Sequence, residues 1–445
     1  MKHRPRSPEQ DDLLRPRLVD LIDLRHELVQ LAALIDREFF EREWAGFFPS
    51  TTGRPATSPR LVAGLLYLQH ALRLSDEAVV ARLGSRTRIT STSPGRCSSS
   101  TARRSTRPRL PAGASGSAMR ASSGCSTPTI EAGRKSGAVD DANLNEVAVD
   151  TTVMEKSIAH PTDSRLLERA WAQLVDLARE AGIELRQSYA RLAPRLAAQI
   201  GRYAHAKQFK HMRKALWSLK GYTGRVLRDL RRQLDEVPAG PLRERVLDKL
   251  VLVSRLLHQT PKGAGKIYAL HEPEVDCISK GKARVRYEFG TKVSVATTLK
   301  GGFVVGMRSL PGNPYDGHTL GEALEQVAIL TNHPTKRAVV DRGYRGHGVE
   351  GTQVLISGTR HGLSAALAKA LRRRSSIEPE IGHMRIDGRL SRCFLKSTLG
   401  DGLFAVLCGC GHNILAHLRT WLAQIIALIL ELARAQDRQS DYTTA

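Results

Sequence analysis

Three short stretches carry carboxylates in settings where an acid could do chemistry. Arg337-Ala-Val-Val-Asp-Arg-Gly-Tyr-Arg-Gly-His347 opens on an apolar run, Ala338 to Val340, long enough for a buried strand. The run ends on Asp341, and Gly343 and Gly346 break the pattern. An acid at the end of a buried strand can be presented at a sheet edge, or can simply cap the turn that follows. Glu146-Val-Ala-Val-Asp-Thr-Thr-Val153 is a second Val-rich strand and carries Asp150. Arg374-Ser-Ser-Ile-Glu-Pro-Glu-Ile-Gly-His-Met-Arg385 puts Glu378 among basic residues. Three separated carboxylates gathered by a fold can hold two divalent cations, and hard oxygen ligands suit Mg²⁺ or Mn²⁺. Two such ions about 3.5–4 Å apart can activate an attacking oxygen and stabilise the leaving oxygen of a phosphodiester.

Composition sets the class of partner. The chain has 445 residues, enough for two or three domains, and 41% of them are apolar, enough for a real core. Its net charge of +24 points to a polyanion, with nucleic acid first among candidates; an arginine-rich soluble protein is the plainer alternative. Met-Lys-His-Arg-Pro-Arg-Ser-Pro has no apolar core of a signal peptide. The apolar run Trp421 to Leu432 is broken by Gln424 and Glu431, too short to span a bilayer, and reads as a buried helix. The six cysteines form no CxxC pair, and Cys408, Cys410 and His412 are spaced to face different sides of a helix, so no membrane and a reducing cytoplasm are expected.

The elements that must position the acids follow from periodicity. Residues 17–42 repeat apolar side chains at helical spacing, Ser58-Pro59 opens a helix through Leu72, and Ser75 starts another. These short helices fit a helix-turn-helix reader of DNA or an all-α packing module. Gly84 to Ile130 contains no Asp, Glu, Phe, Tyr or Trp and is crowded with Ser, Arg, Pro and Ala. A disordered basic linker is the plain reading. Translation out of frame is the other: with permitted codon choices, a shift of one nucleotide turns Leu83–Pro94 and Pro111–Cys125 into runs with the missing aromatic and acidic residues. After the Asp150 strand come about 100 helical residues with an apolar face at Leu167, Trp171, Leu174 and Ala178 and basic residues that include Lys207, Lys210 and Arg213. Beyond Pro261 the pattern turns to strands at Lys266–His271, Arg284–Phe289, Lys292–Thr298 and Phe303–Arg308, with Gly301-Gly302 as a turn. A helix over Thr319–Leu330 precedes the Asp341 strand. Lys262-Gly-Ala-Gly-Lys266 lacks the first glycine and the hydroxyl of a phosphate loop.

Seven phrases, in order, carry a resemblance: Val149-Asp-Thr-Thr-Val153, Ala159-His-Pro-Thr-Asp-Ser-Arg-Leu-Leu167, Gly201-Arg-Tyr-Ala-His-Ala-Lys-Gln-Phe-Lys210, Tyr287-Glu-Phe-Gly-Thr-Lys-Val-Ser-Val-Ala-Thr-Thr298, Leu310-Pro-Gly-Asn-Pro-Tyr-Asp-Gly-His-Thr-Leu320, Asp341-Arg-Gly-Tyr-Arg-Gly-His347 and Ile377-Glu-Pro-Glu-Ile-Gly-His-Met384. Over roughly 140–420 the chain resembles DDE transposases of bacterial insertion sequences, in the family named for insertion sequence five. The resemblance implies an α/β fold: an RNase H-like mixed sheet core at 140–160 and 261–400, a helical basic insertion at 161–260 after the first strand, and a C-terminal helix at 401–445. Before these come an all-α N-terminal DNA-binding region at 1–83 and the irregular segment 84–139. It further implies Asp150, Asp341 and Glu378 as metal-binding catalytic acids, two Mg²⁺ (or Mn²⁺) ions, and a homodimer acting on terminal inverted repeats and target DNA. The family signature of Arg, three residues, Glu, six residues, Lys or Arg fits Arg374, Glu378 and Arg385, which favours Glu378 over Glu380; the tyrosine expected at 371 is Leu371. Pro379 is comfortable in a first helical turn, so the helix is expected to begin near Glu378 with Arg374 reaching in from a loop. Arg374 and Arg385 are suited to phosphate. Asp316 is a rival acid for the site, though the Asn-Pro and Asp-Gly around it mark turns and it reads mainly as structural; His318, His347 and His383 could approach phosphate or water, with a hydrogen-bonded structural role the main reading for each. A DNA-binding remnant without chemistry and a stand-alone nuclease remain the alternatives.

Overall fold

A computed structural model describes residues 23–44, 58–81, 124–260, 263–279, 286–359, 361–362 and 364–443, with side chains described to Thr420. The anomalous tract therefore lies outside the described residues up to 123, and residues 17–22 of the first helical pattern do too. The chain divides into two compact units, Met1–Met154 with Lys292–Ala445, and Glu155–Thr291.

In chain order the first unit begins with α1 (Glu27–Leu34), α2 (Arg37–Glu43), α3 (Pro59–Ala71) and α4 (Ser126–Lys135). The periodic stretch expected as one helix is broken because Asp36 turns out of it and its carboxylate accepts from the Glu38 and Phe39 amides, starting a new helix. Ser58 stands at the start of α3 as expected, but its hydroxyl donates to Glu41 Oε1 at 2.6 Å rather than capping the helix. Residues 76–81 are again helical, and Ser75 Oγ accepts from the Ala78 amide at 3.1 Å. The end of the segment expected to be irregular is not irregular: α4 buries Ile130 and Ala132, and Cys125 just before it is also buried.

The strands and remaining helices follow. β1 (Glu146–Lys156) leads into the second unit, which holds α5 (Asp163–Glu180), α6 (Leu192–His205), α7 (Phe209–Arg232), α8 (Pro241–His258) and β2 (Asp276–Ile278). The chain returns through β3 (Glu288–Thr298) to β4 (Val304–Leu310), α9 (Asp316–Thr331), β5 (Arg337–Val340), β6 (Gln353–Ile356), α10 (Ala365–Arg373), α11 (Ile377–Ile386), β7 (Arg392–Cys393) and α12 (Ser397–Thr443). Two expectations are corrected. Lys266–His271 forms no strand, and the strands expected at Arg284–Phe289 and Lys292–Thr298 merge, within the described residues, into the one strand β3. Near-continuous burial along β3 leaves no polar break at which to end it.

The sheet is mixed. β3, β1, β5 and β6 lie in that order, β4 pairs with β3, and β7 pairs with β1. β1 and β5 run parallel, as do β5 and β6, while β3 and β4 are antiparallel around the Gly301-Gly302 turn, where both glycines have positive φ. Alternation sorts the strand side chains onto two faces. Val147, Val149, Ala338 and Val340 pack with Leu320, Ala323 and Val327 of α9. Ala148 and Val339 pack on the other face with Ile377, Ile381 and Met384 of α11 and Phe404 and Cys408 of α12. The first unit is thus a helix–sheet–helix sandwich.

The N-terminal helices cover a further side of α12, where Phe40, Trp44, Ala63, Tyr67 and Ala71 meet Leu403, Val406, Leu407, Cys410 and Ile414. The approach is tight at Gly411, where a Cβ would lie 2.7 Å from the Ala71 nitrogen. Cys408 and Cys410 enter different clusters, as their spacing requires. By length and composition the described span Ser397–Thr420 could cross a membrane, yet 78% of its apolar window is buried against these elements, as in a core helix. The run 421–432 is helical.

In the second unit α5 to α8 share one apolar core around Trp171, Leu174, Leu219, Leu230 and Val253. β2 pairs antiparallel with Glu288–Gly290 of β3. A buried ion pair, Lys156 Nζ to Glu272 Oε2 at 2.9 Å, lies in the same unit.

His70 is buried against Phe404, and its Nδ1 bonds Leu66 O at 2.9 Å. Burial, opposed by that bond and aided by Arg389, lowers its pKa from 6.5 to about 4. The imidazole is neutral when folded and protonates near 6.5 when unfolded, so its contribution is present above pH 6.5 and is lost as pH falls toward 4. Between pH 7.5 and 5 this loss is about 2 kcal/mol. Urea unfolding of His70→Asn at the two pH values is expected to show an acid sensitivity smaller than the parent's by that amount.

Candidate functional site

Asp150 and Asp341 are brought together by strand register. β1 pairs with β5 as Glu146↔Arg337, Val147↔Ala338 and Ala148↔Val339. Carried two residues further, the same offset sets Asp150, in the middle of β1, opposite Asp341, just past the C-terminal end of β5, on neighbouring parallel strands about 4.8 Å apart. Alternation turns both toward the face covered by α11. There Asp150 Oδ2 accepts from Arg374 Nη2 at 3.0 Å, and Arg374 Nη1 donates to Glu378 Oε1 at 2.9 Å. One guanidinium therefore ties the β1 acid to the helix acid.

The segment carrying Arg374 is a correction. Arg374 does not reach in from a loop: Arg374–Ser376 is a 3₁₀ turn joining α10 to α11, so Arg374 and Glu378 are one helical turn apart. Pro379 lies in the first turn of α11, where its missing N–H costs nothing. Ile377, Ile381 and Met384 bury the opposite side of α11 and fix the height of Glu378. Glu380 points elsewhere, with Oε2 3.1 Å from His412 Nε2 and its side chain against Gly302. Arg385 is half-buried on α11.

Each strand acid is also held locally. Asp150 Oδ1 accepts from the Thr151 amide at 2.7 Å, and Asp341 Oδ1 from the Gly343 amide at 2.8 Å. The capping role weighed for Asp341 is thus present, alongside its place beside Asp150. A fourth acid joins them. Asp316 Oδ1 accepts from Thr151 Oγ1 at 3.2 Å and from Lys292 Nζ at 3.0 Å. Tyr344 is fully buried, and its hydroxyl has no hydrogen-bond partner. Burial first, then the charges of Asp150, Asp316 and Asp341, push its pKa well above the ordinary value, with Arg374 opposing.

The histidines near these phrases bond locally: His347 Nδ1 accepts from the Val349 amide at 3.0 Å, His383 Nδ1 lies 2.7 Å from Asp387 Oδ2, and His318 packs edge-on against Tyr315. Sequence reasoning weighed Asp316 mainly as a turn residue and did not single out Lys292 or Tyr344, which lie beside these acids. The only signal for the first was its place in the Asn313–His318 turn, and nothing marks Lys292 in a run that reads as a plain strand.

The donor chemistry fits a hard divalent cation, since Asp150, Asp341, Asp316 and Glu378 offer only carboxylate oxygens. Arg374 and Lys292 are the cations paired with them, and no three His, Cys, Asp or Glu side chains among the described residues form a metal-holding set as they stand.

In the second unit, Lys207, Lys210 and Arg213 are exposed around the corner between α6 and α7. Arg213 Nε donates to Phe209 O at 3.3 Å, and Trp217, one turn beyond Arg213, is 78% exposed. This face is basic, with an uncovered aromatic ring in it.

Residues 16–92 match the family described as "Transposase domain (DUF772)". Over 217 residues, 46% of this chain and the whole of the relative, the chain is 40% identical to "Uncharacterized protein ORF8 in nfe locus" of Rhizobium meliloti. The chain belongs to the family that contains this Rhizobium protein. The N-terminal match supports a role connected with transposition and with DNA. No solved structure matches.

The Tyr344 hydroxyl gives a direct test of the site's packing. Removing a buried hydroxyl that has no partner relieves a desolvation cost, so Tyr344→Phe is expected to be neutral or stabilising by about 1 kcal/mol in urea unfolding without added metal. A destabilisation of about 1 kcal/mol would show that the hydroxyl is bonded in solution.

Proposed function

We propose that the chain is an insertion-sequence transposase of the DDE type, in the insertion-sequence-five family, that cuts DNA at the ends of its element and joins them to a target. The carrying observation is that the register of two adjacent parallel strands sets Asp150 of β1 opposite Asp341, just past the end of β5, with Glu378 tied to Asp150 through Arg374. An RNase H-like core is the fold in this reading; the strand order β3, β1, β5 and the helices on both faces support it. The transposase-domain match at residues 16–92 supports the same reading independently of the acids.

In this mechanism Asp150, Asp341 and Glu378 would hold Mg²⁺ or Mn²⁺, two ions in all. When bound, such ions supply an activated attacking oxygen and charge for the leaving oxygen. The protein's own groups do the rest. Thr151 and Gly343 amides orient the two aspartates. Arg374 leaves its carboxylate partners for a phosphate oxygen, a geometry its planar fork suits, and Arg385 adds a second cation from the same helix. Lys207, Lys210 and Arg213 hold DNA backbone without reading sequence. The partners are terminal inverted repeats and target DNA, engaged by a homodimer in the cytoplasm.

The test uses DNA carrying the repeats that flank the gene. Asp150→Ala, Asp341→Ala and Glu378→Ala are each expected to lower Mg²⁺-dependent cleavage by roughly a hundredfold or more while DNA binding is kept. Strand transfer at the parent rate by any one of them would sink the assignment. Replacing Lys207, Lys210 and Arg213 by Ala is expected to weaken DNA binding on any sequence. The slope of log affinity against log salt should become shallower by about 1 for each phosphate that is no longer neutralised; an unchanged slope would return the face to plain solvation.

A second reading is carried by the anomalous tract from Gly84 to Ile130: a DNA-binding remnant without its chemistry. A parent protein that binds the ends and cleaves nothing in Mg²⁺ or Mn²⁺ would decide for it.

A further inference from the structure

Asp316 does more than start a helix. The residue at the N-cap of α9 is Tyr315, and no side chain caps that end. Asp316 instead directs Oδ1 across to two other elements, accepting from Thr151 Oγ1 of β1 and Lys292 Nζ of β3. Lys292 is buried and also donates to Pro314 O at 2.6 Å, so its ammonium is fixed from two sides. The second oxygen, Oδ2, faces the Asp341 turn: a Cβ on Gly343 would lie 3.3 Å from it and 3.0 Å from Asp341 Oδ1. The two carboxylates thus flank one backbone position, where a side chain would crowd both. An independent sign of a polar guest is the fully buried, unpartnered Tyr344 hydroxyl, which lies among Asp150, Asp316 and Asp341.

We propose that Asp316 is a fourth acidic group of the site: Lys292 and Thr151 anchor Oδ1, and Oδ2 joins Asp150 and Asp341 in holding a divalent cation. This rests on the metal-dependent reading above. It also assigns Lys292 a part, as the fixed counter-charge that lets a fourth carboxylate stand beside two others without a net repulsive cluster. Thr151, next to Asp150, couples the two acids, since its amide serves Asp150 and its hydroxyl serves Asp316.

The experiment is a Mn²⁺ titration of the full chain without DNA, read by the loss of the free-ion paramagnetic resonance signal, with apo melting temperatures alongside. The parent, Asp341→Asn, Asp316→Asn and Asp316→Glu are compared. Asp316→Asn keeps a hydrogen-bond acceptor for Lys292 and Thr151 and removes only the charge. It is expected to weaken Mn²⁺ binding roughly tenfold or more, as Asp341→Asn does. Asp316→Glu keeps the ion pair but displaces the carboxylate, and is expected to weaken binding severalfold at the parent's melting temperature. If Asp341→Asn weakens binding and both Asp316 variants bind as the parent does, Asp316 is a structural ion pair and the proposal fails while the metal-dependent reading stands. If all four proteins bind alike, that reading fails and takes this one with it. Should Asp316→Asn not fold, Asp316→Glu alone decides.

Discussion

The parallel pairing of β1 with β5 is the constraint on which the rest depends. Register in a sheet is all-or-none, because a slip of one residue exchanges the two faces. Here both faces are covered, by α9 on one side and by α11 and α12 on the other. A slipped β1 would drive Asp150 toward the apolar layer around Leu320 and Val327 and withdraw it from Arg374. The Val and Ala residues of the two strands therefore do two jobs. Their burial stabilises the sandwich, and their alternation sets which way Asp150 and Asp341 face.

Charge balance is the second constraint. Asp150, Asp316 and Asp341 end up close together around Tyr344, and such a grouping is unfavourable without positive partners. The fold supplies them from opposite layers: Arg374 comes from the helical side and Lys292 from within the sheet. Both are well shielded from water. Their difference in type matters. The Lys292 ammonium is pinned by a carbonyl as well as a carboxylate, whereas the Arg374 fork spans two side chains and has its Nε unpartnered, which leaves it the more readily re-engaged by an incoming anion.

Much of this was legible in the residues. Short Val-rich runs ending in an acid gave β1 and β5, and the apolar spacing of α5 gave the helical unit between them. The family signature implied Glu378 rather than Glu380, and the two glutamates have different surroundings: Glu378 pairs with Arg374, Glu380 with His412. What was hidden had a common cause. Asn313-Pro-Tyr-Asp-Gly-His318 carries two strong turn signals, and these describe the local chain without revealing what a distant strand sets opposite it. Lys292 looks like any polar residue of a half-buried strand until both faces prove to be covered. Local composition likewise could not show that Ser126–Lys135 folds, because its small residues are helical only through the packing of Ile130 and Ala132. Lys266–His271 erred in the other direction, since its alternation is real but no neighbouring strand pairs with it.

The packing of α3 on α12 bears on how this protein can be taken apart. The N-terminal helices are not a detachable module. Here α3 lies so near Gly411 that a single methyl would strike the Ala71 backbone, and Leu403, Val406, Leu407 and Ile414 have the N-terminal side chains as their roof. A fragment starting after this region would expose an apolar strip of its longest helix to water and would be prone to self-association. These helices are the roof of α12, and evolution could exchange them for others only by keeping a notch at the same height.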